Sequence, residues 1–153
     1  MSATSLSDAI VRVEALQLHF DAGKIKALDG IDIAFGDGEF VALVGPSGCG
    51  KSILLNVIGT LDSPTAGQVW FRSRAYAAIG DPSLFRRRHV GFIFQSFHLI
   101  PTLSALDNVV VATIGTPGAA IDHQEKAREL LSRLGLRHRL QLHRPVLRPC
   151  PYL

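Results

Sequence analysis

The chain has 153 residues, 47% of them hydrophobic and 19% charged, enough apolar material to bury the core of one domain and too much for an intrinsically disordered chain. No run approaches the ~18 consecutive apolar residues of a membrane-spanning helix, Met1–Asp8 lacks the basic and apolar regions of a secretory signal, and Cys49 and Cys150 stand without CxxC or Cys/His spacing. A soluble protein of the reducing cytosol is therefore expected, with no disulfide framework and no zinc site. The formal charge of +3 belongs to the end of the chain, where Arg133, Arg137, Arg139, Arg144 and Arg148 meet no acid; an Arg/Pro tail without interleaved aromatics gives no reason to expect a nucleic-acid partner.

In chain order, Val13, Ala15/Leu16, Leu18 and Phe20 sit at near-alternate positions, and Ile31, Ile33 and Phe35 alternate with Asp32 and Ala34. Both segments read as half-buried strands of an antiparallel opening. Glu39-Phe-Val-Ala-Leu-Val-Gly45 is a continuous apolar run, the pattern of a strand buried on both faces of a parallel sheet. The apolar positions Ile53, Leu54, Leu55, Val57 and Ile58 predict a helix over 51–61 buried on most sides. Ser63–Gly67 reads as a turn and 68–71 as a strand. Asp81 as N-cap and Pro82 at the first position open a short helix to Arg88. His89-Val-Gly-Phe-Ile-Phe94 reads as another buried strand and 104–114 as a helix. Gly115–Ala120 is a Gly/Pro linker. Asp122 and Glu125, spaced as a capping box, open a helix ending near Gly135, with Ala127, Leu130, Leu131 and Leu134 on one face. The last nine residues hold three prolines and no period.

Gly45-Pro46-Ser47-Gly48-Cys49-Gly50-Lys51-Ser52 has the form G-x4-G-K-[ST] between a predicted strand and a predicted helix. Such a loop aims backbone N–H groups and a helix N-terminus at one point, an arrangement suited to the dense negative charge of a nucleoside triphosphate. Gly45, Gly48 and Gly50 allow dihedrals that a Cβ would forbid. Lys51 is placed for the β and γ phosphates, and the Ser52 hydroxyl for the Mg²⁺ that bridges them. Cys49 reads as a small neutral filler.

The loop follows two strands' worth of sequence. With Phe20-Asp-Ala-Gly, Leu28-Asp-Gly-Ile-Asp-Ile and Gly91-Phe-Ile-Phe-Gln95-Ser-Phe-His-Leu-Ile-Pro, it resembles the ATP-binding subunit of ABC transporters, most of all the branch of lipoprotein-release and macrolide-export ATPases. The resemblance runs from about residue 11 to Pro145. It implies an α/β fold: a P-loop NTPase core with an antiparallel N-terminal β portion and the start of a helical subdomain. It also implies that Phe20 stacks on adenine, the alternative being that Phe20 ends the core face of its strand, and that Gln95 touches Mg²⁺ and the attacking water as a catalytic residue. ATP and Mg²⁺ are the implied ligands. The implied partners are a transmembrane permease subunit and, in the full-length family, a second copy, so the protein would be cytoplasmic and peripheral on the inner face of the cell membrane.

The family continues beyond this point with an LSGGQ signature, an apolar strand ending in Asp-Glu and a switch histidine, none of which the sequence contains. The expectation is thus an incomplete ABC ATPase domain over residues 1–145 and an unstructured, aberrant tail over 146–153, able to bind nucleotide but not to hydrolyse it efficiently. A complete small kinase or GTPase would show a guanine motif or a basic lid, neither of which is visible; a non-folding pseudogene product is the third reading.

Overall fold

The computed structural model describes residues 9–115 and 120–143. The chain divides into two units, Met1–Phe92 and Ile93–Leu153. In the first, β1 (Ala9–Phe20) and β2 (Ile25–Gly36) form an antiparallel hairpin around a tight turn at Asp21–Gly23. On its other side β1 pairs antiparallel with β3 (Ala66–Phe71), which pairs with the two-residue β4 (Arg74–Ala75), giving the order β2-β1-β3-β4. The antiparallel opening expected from the alternation is present.

Strand β1 buries Ala9, Val13, Leu16 and Leu18. Val13 and Leu16 are three positions apart, which in a regular strand would place them on opposite faces. A bulge at Ala15 resolves this: the ladder to β2 shifts register between Val13 and Leu16, and Ala15 takes a positive φ of 45°. The N–H of Ala15 donates to Asp32 Oδ1 at 2.8 Å, so the residue is anchored although it has left the ladder. Gly67 lies across from it, where a Cβ would collide with the Ala15 carbonyl oxygen.

The inward face of this sheet packs on α1 (Lys51–Ile58) through Leu54 and Val57, joined by Val13, Leu16, Leu18, Leu28 and Val69. Eight residues are too few for a helix that stands alone in water. Burial of Leu54 and Val57, about 1.5–3 kcal/mol each, holds it. The helix is amphipathic and not buried on most sides, for Leu55 remains 52% exposed. It ends at Gly59, where a Cβ would overlap the ring of Phe92. Next, α2 (Pro82–His89) starts as its sequence predicts, with Asp81 Oδ1 accepting from the N–H groups of Ser83 at 2.8 Å and Leu84 at 3.3 Å. Its buried Phe85 meets the rings of Phe71 and Tyr76 edge-on.

Two expectations are corrected. Residues 39–45 and 89–94 form no strand: His89 closes α2, Phe40, Val44 and Ile93 are almost fully exposed, and Phe94 is 46% exposed. A strand buried on both faces needs a hydrogen-bonded neighbour on each edge and a packed layer on each face, and neither run belongs to a β-ladder of the described residues.

In the second unit, α3 (Ala105–Val111) and α4 (Ala120–Arg133) pack through Leu106, Ala127 and Leu131, flanked by Val109, Val110, Leu136 and Leu140. Ser104 caps α3: its buried hydroxyl accepts from the Asp107 N–H at 3.1 Å and donates to Asp107 Oδ2 at 2.6 Å. The Asn108 amide donates to the carbonyls of Ile100, Leu103 and Ser104, fixing the approach to the helix. Helix α4 begins two residues before Asp122, so the expected capping box becomes part of its first turn, and Leu130 and Leu134 face solvent. The linker positions 116–119 and the tail 146–153 lie outside the described residues. No helix among those described is long and apolar enough to cross a membrane.

Candidate functional site

The glycine loop leads directly into α1, and Gly50 is the helix N-cap with φ 89°. A Cβ there would stand 2.6 Å from the Ala27 carbonyl oxygen and 3.1 Å from Leu28 Cδ2. Both dihedral and space therefore demand glycine. Gly48 also takes a left-handed φ of 82°, and the position of a Cβ on Gly45 is closed by Cys49 Sγ at 3.0 Å. The helix has no side-chain cap. Intrahelical bonding starts with the Leu54 N–H donating to Gly50 O at 2.8 Å, which leaves the N–H groups of Lys51, Ser52 and Ile53 without acceptors among the described residues. These three donors and the positive end of the helix share one opening.

The Lys51 side chain folds back into that opening. Its Nζ donates to Pro46 O at 2.7 Å, to Gly45 O at 2.9 Å and to Cys49 Sγ at 3.3 Å. All three ammonium protons are thus held by the loop the lysine ends. Ser47 and Ser52 are exposed. The loop is a cluster of donors with no carboxylate bonded into it, an environment that fits a compact polyanion and, with a hydroxyl at its edge, a cation the polyanion brings. Among the described residues no three of His, Cys, Asp and Glu gather to hold a metal by themselves.

Phe20 ends β1, 46% exposed and paired across the hairpin with Ile25. The partner strand of the same hairpin, β2, places Ala27 and Leu28 against Gly50, so the hairpin that carries Phe20 meets the loop through β2. Gln95 lies in the second unit, exposed and in an irregular stretch. One neighbour of the loop escaped sequence reasoning: Ala27 sets the shape of the loop with a backbone oxygen, a role that any residue type could fill and that leaves no mark in sequence.

A profile of the ABC transporter family matches residues 28–148. The chain belongs to that family. It is 40% identical over 146 residues to the lipoprotein-releasing system ATP-binding protein LolD of Maricaulis maris, covering 92% of this chain and 62% of that protein. To the macrolide export ATP-binding/permease protein MacB of Bartonella henselae it is 40% identical over 143 residues, 91% of this chain and 22% of the relative. These relatives place it in the lipoprotein-release and macrolide-export branch. Among solved structures, the ATP-binding cassette MJ0796, in a dimeric post-hydrolysis state bound to ADP and Pi, superposes with a TM-score of 0.73 at 34% identity, over 88% of this chain and 61% of the cassette. A second dimeric MJ0796 structure gives a TM-score of 0.75 with the same coverage. The fold is accordingly that of an α/β P-loop cassette in part, and the chain spans about three-fifths of the length of the single-cassette relatives it matches.

Proposed function

We propose that this chain binds the phosphates of ATP through Gly45–Ser52 and serves as the nucleotide-binding part of an ABC transporter whose transport path lies in a separate membrane subunit. The observation that carries this reading is the Lys51 ammonium held at the mouth of its own loop beside three uncapped N–H groups. On binding, the lysine exchanges neutral carbonyl acceptors for phosphate oxygens, and bonds to a charged acceptor are roughly twice as strong as bonds to a neutral one. The N–H groups of Lys51, Ser52 and Ile53 take the remaining phosphate oxygens at the helix start. Bound Mg²⁺ supplies charge neutralisation between the β and γ phosphates. Ser52 and Gln95 are the groups assigned to hold it, and Gln95 also to orient the attacking water.

Phe20 offers a flat ring to adenine from the hairpin that flanks the loop. Residues 1–145 act as the cassette portion, and two copies pair as the MJ0796 cassettes do. The protein then sits in the cytoplasm, peripheral on the inner membrane face through its permease. The residues at hand support the binding half of the cycle, since beyond Gln95 no carboxylate closes an apolar run of four. Calorimetry with MgATP tests the reading: the wild-type chain binds and Lys51→Ala shows no measurable heat, whereas equal affinities would remove the loop from the site.

A further inference from the structure

We propose that Asp29 and Thr65 are positioning residues, which hold the Phe20 ring at a fixed offset from the phosphate loop through a bulge in β2 at Ala27. This role rests on the proposed binding of ATP and ties the two ends of that ligand's site together. In the β1–β2 ladder Leu18 pairs with Leu28 and His19 with Lys26, so one step along β1 is matched by two along β2 and Ala27 is the extra residue. A bulge bends its strand and re-aims what lies on either side of it. On one side is the Ala27 carbonyl oxygen, 2.6 Å from the point where a Cβ would stand on Gly50. On the other are the last two pairs of the ladder, His19 with Lys26 and Phe20 with Ile25. The offset that presents Ala27 to the phosphate loop is therefore also the offset that places Phe20.

The bulge is braced on both strands. Within β2, Lys26 Nζ donates to Asp29 Oδ2 at 3.1 Å, a bond that spans the extra residue. Across the ladder, His19 Nε2 lies 3.7 Å from Asp29 Oδ1. That nitrogen is buried without a hydrogen-bond partner, and the Asp29 carboxylate is its ion-pair partner whenever the imidazole is charged. From the other edge of β1, Thr65 Oγ1 accepts from the backbone N–H of His19 at 3.0 Å, and the Thr65 N–H donates to Gln17 O at 2.8 Å. The residue next to Phe20 is thus held by its ring from β2 and by its backbone from the segment that follows α1.

Stability does not account for this arrangement. The Lys26 and Asp29 side chains are both more than half exposed, and such pairs add little to folding. What they fix is geometry, the placing of a ring relative to a loop that one ligand must reach at the same time.

The test is calorimetric titration of the full chain with MgATP and with magnesium tripolyphosphate, which lacks base and sugar. Asp29→Ala, and Thr65→Val, which removes the acceptor at nearly constant volume, should each weaken ATP by about threefold to tenfold, a part of what the whole ring supplies. Tripolyphosphate affinity should stay unchanged, and Thr65→Ser, which keeps the hydroxyl, should restore ATP binding. The sign separates positioning from charge, since loss of an acid near a polyanion site tightens binding by electrostatics alone. In a Phe20→Ala background neither variant should weaken ATP further. Asp29→Asn, which loses the charge facing His19 and keeps an acceptor for Lys26, makes the same comparison if the alanine variant unfolds. ATP affinity that is unchanged or raised, an equal loss of tripolyphosphate, or the same further loss in Phe20→Ala overturns the proposal. A wild-type chain that binds no tripolyphosphate removes the phosphate-loop reading and this role with it, a failure told apart from the others by the wild type alone.

Discussion

The Ala27 carbonyl oxygen lies 2.6 Å from where a Cβ would stand on Gly50. Strand β2 thereby presses on the phosphate loop at its last residue before the helix, and the loop keeps its shape because the hairpin behind it does. Gly50→Ala meets two costs at once: a left-handed φ, about 1–2 kcal/mol for an L-residue, and a clash with backbone that can move only with β2. The expected outcome is a loss of roughly 2–4 kcal/mol in urea unfolding, with MgATP binding lost even where the protein stays folded.

Phe20→Ala should weaken ATP and GTP alike, because a stacking ring reads the face of a base and not its edge. The expected loss is about 1–3 kcal/mol for each nucleotide, measured by competition against a fluorescent analogue. Phe20 is half-exposed at the end of β1, so thermal unfolding should change little. Selective loss of ATP would assign the ring another role.

Tyr76 links the end of α1 to the β3–α2 region by donating its hydroxyl to Ile58 O at 2.7 Å. Burial raises its pKa to about 12 from the ordinary 10.0. A folded-state value above the unfolded one means that the contribution is complete below pH 10 and lost as pH rises through 12. Tyr76→Phe should cost about 1 kcal/mol at neutral pH from the missing hydrogen bond and should flatten the alkaline decline in stability between pH 10 and 12, followed by circular dichroism.

Local chemistry was legible wherever it determined structure by itself. Asp81 before Pro82 marks the start of α2, and the alternation 31–33–35 marks β2. The loop could be read because glycine, lysine and serine at fixed spacing have few other uses. The runs 39–45 and 89–94 were misread for a physical reason: apolar continuity records the neighbours a segment is suited to, and in this structure those neighbours are absent among the described residues. The start of α4 was set two residues late because Asp122 is as welcome in a first turn as at a cap. The two residues of β4 are held by pairing with Trp70 and Phe71 and carry no pattern of their own.

The bulge at Ala15 makes β1 two half-strands spliced out of phase, one inward at Ala9 and Val13, the other at Leu16 and Leu18. Such a strand is constrained in count more than in kind. Conservative exchanges at its four inward positions cost little as long as they stay apolar and near the same volume. A single deletion away from the splice inverts the facing of every residue between the two, while deletion of Ala15 itself leaves Val13 and Leu16 two positions apart, so that a regular strand keeps both inward and loses only the bulge and its bond to Asp32. Length variation in this strand is therefore tolerated in pairs, or singly at the splice, where Ala15 is the one residue whose removal leaves both halves in phase.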